Sequence, residues 1–388
     1  MYFDHNATTP VAPDVLEALG RALGDVYGNA SSVHQVGQVA RQHIESARRT
    51  IAARLNVPPA ELIFTSGGTE SNNLAIFGLV RAIDAPKKHV ITTSIEHPSV
   101  TECFRELERE GVAVTYIGVN HAGVIRLSEL EQNLREDTIL VSVMHANNET
   151  GVIQPLKEVS ALIRDRCSSG QPIYLHSDGV QTFGKIQLDL TELGVDFYSL
   201  SAHKIYGPKG VGALFVRKEV PLRPLHYGGR HERGRRAGTE NVPGAVGFAR
   251  AAELCSEADI RHYRELRNRF EAQVLSALDG VEVNGAAERL PNTSNLLFRG
   301  CSAEALLIAL DLKGMCVSTG SACSSGSIEP SPALLAMGRT REEARSSIRF
   351  SFGRYNTEEE IDALSDAVIA SVRQLRNRSS QERRLVAG

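Results

Sequence analysis

The sequence predicts an α/β protein built on a mostly parallel sheet, with a smaller α+β region at the C-terminal side. Three observations carry this. Between about residues 60 and 220, short β-branched runs alternate with amphipathic segments. The strand candidates are apolar almost throughout, as strands covered on both faces are. Short polar motifs follow several strand ends, the place where ligands bind in such sheets.

Taken in order, the first strand candidate is Leu62-Ile63-Phe64-Thr65, followed by a glycine turn and a helix through Leu74, Ile76 and Leu79. Val90-Ile91-Thr92-Thr93 is the second, and Val112 to Ile117, after a charged helix, the third. Ile139 to Met144, Ile173 to His176, Phe197 to Leu200 and Gly212 to Val216 complete a set of seven. A second region starts near residue 256 with a charged helix. Its strand candidates are Asn295 to Phe298 and Ile348 to Phe352. The final helix has a readable start, because Thr357 and Glu360 stand at capping-box spacing. Its apolar face runs through Ile361, Leu364, Val368, Val372 and Leu375. Residues from Ser379 onward lack that periodicity and are expected to fray.

A chain of 388 residues has room for two or three domains, and 42% hydrophobic with 23% charged residues is ordinary globular composition. A formal net charge of −3 argues against a nucleic-acid partner. The basic stretch from Arg230 to Arg236 is interleaved with glycine and reads as a loop. No apolar run is long enough for a membrane span, and the N-terminal residues do not resemble a secretory leader. The six cysteines include no C-x-x-C pair, so reduced thiols in the cytoplasm are expected. The 12 histidines do not join them at ligand spacing, so no metal site is expected. Cys103, Cys167, Cys255 and Cys316 read as structural, with Cys316 on a strand.

Cys323 differs from these. It lies in Ser318-Thr319-Gly320-Ser321-Ala322-Cys323-Ser324-Ser325-Gly326-Ser327, a run without a large side chain to anchor it. Such a run reads as a mobile, solvated arm that can carry a thiol to a partner. Ser66-Gly67-Gly68-Thr69-Glu70 stands between a strand and a helix, where backbone amides can cradle an anion. The same glycines would also suit a plain helix cap. Asp178 follows one strand, and Lys204, in Ser201-Ala202-His203-Lys204, follows the next. A lysine at the carboxyl edge of a buried sheet can form a Schiff base with an aldehyde cofactor. A carboxylate facing a pyridinium nitrogen is the second group that pyridoxal phosphate requires. The plain alternatives are a helix cap for Asp178 and a loop lysine for Lys204.

At these motifs the chain resembles the cysteine desulfurases of the NifS/IscS-like branch, within the class-V aminotransferase group of fold-type-I pyridoxal-phosphate enzymes. The resemblance runs from Asn6-Ala7-Thr8-Thr9-Pro10 to Arg349-Phe350-Ser351-Phe352-Gly353-Arg354-Tyr355-Asn356. Between them it passes through Thr65 to Ser71, Met144-His145-Ala146-Asn147-Asn148-Glu149-Thr150-Gly151, Ser201 to Gly210, Gly228 to Thr239 and Ser321-Ala322-Cys323. It implies a large cofactor domain over 15–255 and a small domain from 1–14 and 256–388, which carries the thiol loop at about 318–331.

The resemblance also implies roles. Lys204 would hold pyridoxal 5′-phosphate covalently, and Asp178 would pair with its ring nitrogen. Gln181 and Asn148 would meet the ring's phenolic oxygen or the substrate beside it. His97 would stack on the ring and take part in catalysis. Gly68, Thr69, Ser201 and His203 would hold the phosphate. Thr239 would reach the phosphate of a neighbouring subunit, which makes a homodimer the expected assembly. Arg349, helped by Asn29, would bind the carboxylate of L-cysteine. Cys323 would take the sulfur as a persulfide and pass it to an acceptor protein for iron–sulfur cluster, thio-cofactor or thiolated tRNA synthesis. Residue by residue, a helix cap remains open for His97, a turn residue for Asn148 and a solvated strand position for Arg349. A selenocysteine lyase, another class-V aminotransferase and a non-catalytic sulfur carrier are the alternative functions. Ala30 stands where the family usually has the proline of Gly-Asn-Pro, and the short C-terminal tail does not resemble a scaffold-docking tail.

Overall fold

The computed structural model describes residues 1–167, 172–285, 288–320 and 329–386, with side chains at 167 and from 379 onward outside the description. Among the described residues, ten strands form two sheets. The first seven are β1 (Leu62–Thr65), β2 (His89–Thr93), β3 (Ala113–Ile117), β4 (Thr138–Ser142), β5 (Tyr174–Asp178), β6 (Phe197–Ser201) and β7 (Gly212–Val216). They make one sheet in the order β1-β7-β6-β5-β4-β2-β3. β2 through β6 pair in parallel, and β7 is antiparallel to both β6 and β1. Reversing twice brings β1 back to the direction of β6. The carboxyl ends of β1, β2, β4, β5 and β6 therefore share one edge of the sheet.

Burial follows position in the sheet. Every residue of β1, β2, β4, β6 and β7 is buried, whereas β3, at the edge, is exposed or half-buried except for the buried Ile117. One face packs on Ile44, Ile51, Phe183 and Phe248, and the other on Leu74, Leu79, Phe104 and Leu107. The helix Gly68–Ala82 covers the second face, with Leu74, Ile76 and Leu79 all buried.

The remaining strands, β8 (Val281–Val283), β9 (Thr293–Phe298) and β10 (Ser347–Ser351), form an antiparallel sheet in the order β10-β9-β8. Phe270, Phe298, Phe350, Leu364 and Val368 fill its core. Phe3 joins the same core, because the N-terminal segment runs beside β10: His5 N donates to Ser351 O and Ser351 N to Phe3 O. The segment then crosses to the large sheet, where Thr9 N meets His203 O. It delivers Asn6 between the two sheets.

Local details depart from the sequence reading in places. The basic stretch is a short 3-10 turn over His231–Gly234 rather than an open loop, with Glu232 and Arg233 at positive φ. The buried Glu232 carboxylate anchors it, accepting from both terminal nitrogens of Arg48 and from Phe64 N. Thr357 and Glu360 make their reciprocal capping contacts. The final helix continues to Val386 instead of fraying at 379, and its strong helix formers Gln381, Glu382, Arg383 and Arg384 sustain it without an apolar face. Cys316 is exposed and makes an isolated bridge to Tyr2, not a strand. Cys103, Cys255 and Cys301 are buried free thiols. No helix among the described residues is long and apolar enough to cross a membrane.

Candidate active site

The strand ends gather around a cavity of about 200 Å³. Gly68 and Thr69 begin the helix after β1, His97 follows β2, and Asn148 follows β4. Asp178 and Gln181 come from the end of β5, and Ser201, His203 and Lys204 from the end of β6. Residues from five separate motifs thus face one space, as the shared sheet edge dictates.

Asp178 is buried and doubly supported. Val180 N donates to its Oδ1 at 3.0 Å, and Asn72 Nδ2 to its Oδ2 at 2.8 Å. Asn72 is itself buried and also donates to Ser99 Oγ. The group is no helix cap. It is a carboxylate fixed at the cavity wall by these two donors.

Lys204 stands in a 3-10 turn just past β6, with its Nζ resting on Asn6 O at 2.6 Å and Ala7 O at 2.7 Å. Burial lowers its amine from the usual lysine range to about 8; the Arg349 charge adds to this and Asp178 and Asp4 oppose it. A lysine near 8 supplies a sizeable fraction of free amine at neutral pH, which nucleophilic attack on an aldehyde needs. His203 is pushed down to about 4, burial again being the largest cause and the nearby lysines adding to it. It acts as a neutral imidazole, with Nδ1 against Thr8 Oγ1.

The end of the cavity at Gly67 and Gly68 is shaped by backbone. Gly67 has φ +154°, and a Cβ on Gly68 would stand 2.7 Å from Val180 Cγ2. Only glycine leaves room there for an anion to reach the amides at the start of a 15-residue helix. An amine, a carboxylate and an anion cradle on one cavity are the donor set that a phosphorylated pyridine aldehyde requires. Asn72 Oδ1, buried and without a partner among the described residues, adds polar capacity in the same wall.

Two plain readings are realised in part. His97 does cap its helix, accepting from Ser99 N at 3.1 Å, yet the same residue lines the cavity. The turn after β4 is organised by Asn147, whose Oδ1 accepts from Glu149 N and Thr150 N, so the neighbouring Asn148 faces the cavity instead. Arg349 is not solvated: it is 4% exposed, bound to Asp4 Oδ1 and Asn148 O, with its Nε unpartnered among the described residues.

Arg349, Asn29 and Thr239 do not line the cavity. Arg349 adjoins it through Asn148 and pairs on its strand side with Ser318, the residue from which the thiol loop departs. Asn29 is exposed, with its side chain accepting from Ser31 N. Thr239 is exposed. Cys323 lies outside the described residues. The structure adds Asn6, Asn72, Ser99 and Lys185, which sequence reasoning missed. Asn72 lies four residues beyond Gly68 on the same helix, a spacing that could have flagged it.

The class-V aminotransferase pattern matches residues 1–364. The chain belongs to the class-V aminotransferase family. A cysteine desulfurase of Nostoc sp. is 45% identical over 380 residues, 97% of this chain and 94% of that one. Among solved structures, a NifS-like protein superposes with a TM-score of 0.89 at 40% identity, covering 95% of this chain and 98% of the other. A protein named SspA, solved in complex with cysteine, gives a TM-score of 0.81 at 35% identity over 92% of this chain and 99% of its own. The cofactor is pyridoxal phosphate.

Proposed function

We propose that the chain is a cysteine desulfurase that converts L-cysteine to L-alanine and passes the sulfur to Cys323. The convergence of Lys204 and Asp178 on one cavity carries this reading, in a family member 45% identical to cysteine desulfurases. The bound cofactor would supply an electron sink for the substrate's α-carbon. Lys204 would hold the cofactor, and its free amine would move the substrate's α-proton. Asp178 would stand against the ring nitrogen, and Gln181 and Asn148 would address the ring oxygen and the substrate. His97 would cover the ring. Gly68, Thr69, Ser201 and His203 would hold the phosphate.

Arg349 receives the substrate carboxylate with its unpartnered Nε, aided by Asn29. The Cys323 thiolate attacks the substrate sulfur. A sulfur–sulfur bond forms as the carbon–sulfur bond breaks, and the carbon takes the electron pair and a proton. The loop that starts beside Arg349 suits this delivery. The persulfide then goes to an acceptor protein for iron–sulfur or thio-cofactor synthesis.

A homodimer is supported by Leu16, Leu23, Tyr27 and Val33, which are 61%, 64%, 80% and 89% exposed in the single chain. Thr239, exposed here, then addresses the neighbouring site. Residues 15–255 form the cofactor domain, and 1–14 with 256–388 the small one, a grouping that the packing of Phe3 supports. A reducing cytoplasm suits chemistry that needs free thiols.

The test is a visible spectrum of the purified protein before and after L-cysteine, with mass analysis of Cys323. Pyridoxal absorbance that changes with cysteine, one added sulfur atom on Cys323 and release of alanine are expected. A keto-acid product would point to an aminotransferase. Full sulfide formation by Cys323→Ser would remove Cys323 from the reaction.

A further inference from the structure

Lys185 has no place in the chemistry above, yet it is the most deeply buried lysine near the site, only 4% exposed. Its Nζ donates to Gln181 Oε1 at 2.9 Å and to Asn6 Oδ1 at 3.0 Å. Neither partner is a carboxylate, so this cation would sit without a counterion. A neutral amine resolves the conflict. It has two N–H groups, and two acceptors face it. The electrostatics agree: burial, then the charges of Lys204 and Arg349, hold the Lys185 amine well below the usual lysine range.

The two contacts have a direct consequence for the cavity. Asn6 O is a backbone carbonyl and can only accept, so Gln181 must turn its Nε2 to it, at 3.0 Å. Gln181 Oε1 then points at Lys185. One hydrogen of Nε2 is left for the cavity that Gln181 lines. Lys185 also grips Asn6, whose carbonyl carries Lys204 Nζ. The Asn6 side chain is held on its other sides by Asn292, Asn148 O and Thr293. One buried amine thus ties the donor of the ring-facing amide to the resting place of the nucleophilic lysine.

We propose that Lys185 is a positioning residue, which presents Gln181 as a hydrogen-bond donor to the cofactor ring and fixes Asn6 beneath Lys204. This rests on the pyridoxal-phosphate reading of the site.

The experiment is a double-mutant cycle of Lys185→Met and Gln181→Leu. Its readouts are cofactor affinity of the cofactor-free protein, the visible spectrum of the bound cofactor across pH, and the thermal midpoint without cofactor. Leaving Gln181 Oε1 buried without a donor should weaken cofactor binding about tenfold. The absorbance titration of Lys185→Met should shift in the same direction as that of Gln181→Leu. In the double variant the loss should stay within about twofold of Gln181→Leu alone, as expected of residues acting as a unit. Multiplied losses would overturn the inference, and so would a wild-type spectrum and affinity with only a lowered thermal midpoint. If Lys185→Met does not fold, Lys185→Gln takes its place in the cycle, with the same non-additivity expected. Absence of pyridoxal absorbance in the wild-type protein would instead defeat the cofactor reading, so the two failures are distinct.

Discussion

Replacing Asn72 by aspartate changes one group of the active site and almost none of its shape. The Asn72 amide that now donates to Asp178 Oδ2 at 2.8 Å becomes a second carboxylate at the same distance. At an effective dielectric constant of about 20, two unit charges 2.8 Å apart repel by about 6 kcal/mol. That corresponds to about 4 pH units. The pair therefore keeps one proton until about pH 8 and titrates as a unit. At neutral pH the shared proton reduces the negative charge on which the role proposed for Asp178, against the ring nitrogen, depends. Turnover of L-cysteine by Asn72→Asp should fall about 100-fold at pH 7 and recover as pH rises through about 8, while Asn72→Leu stays low with no such recovery. The assay is alanine release across pH 6 to 9, at saturating cofactor, with circular dichroism to check folding. A folded Asn72→Asp protein with wild-type turnover and an unchanged pH profile would refute the claim that Asn72 sets the charge of Asp178.

Two further outcomes follow from the same geometry. Glu232→Gln removes the buried charge partner of Arg48, both side chains being 3% exposed, and leaves its guanidinium only the more exposed Glu45. A loss of about 3 kcal/mol in unfolding free energy is expected, and Arg48→Met in that background should add far less than it does alone; denaturant unfolding of the four proteins decides it. The second concerns Lys204, whose amine is lowered to about 8. Capture of added pyridoxal phosphate by the cofactor-free protein should speed up about tenfold per pH unit below 8 and level off above it. Because the folded value lies below the unfolded lysine value, the unfolded chain holds more protons between about 8 and 10.4, so this group also makes the cofactor-free fold more stable as pH rises through that range. A pH-independent capture rate between 6 and 8 would show that the Lys204 amine is already free at pH 6.

Much of this molecule is written in local pattern. Continuous apolar runs such as Ile139-Leu140-Val141 belong in a covered sheet whatever their neighbours, and glycines at 67 and 68 after such a run announce an anion cradle. Lys204 and Asp178 were legible for the same reason: a polar residue just past a buried strand has few places to go but the sheet edge. The cap of the last helix needs only Thr357 and Glu360.

Other features depend on distance in the fold, which no period encodes. The reversal of β7 is invisible in Gly212 to Val216, because an apolar strand buried on both faces reads the same in either direction. Asn147 and Asn148 differ in role only because the first is consumed by the turn. Arg349 looked like an outward strand residue until the N-terminal segment, with Asp4, came to lie against it. Asn6 and Lys185 are separated by 179 residues and meet through the crossing of that same segment between the two sheets. The sequence alone determined the layers, the strand ends and the two cavity residues to which pyridoxal chemistry is proposed to fall, since each follows from the pattern of its immediate neighbours. Only the tertiary structure decided which distant polar groups hold those residues in place, since a hydrogen bond is fixed by position in space and leaves no periodic trace along the chain.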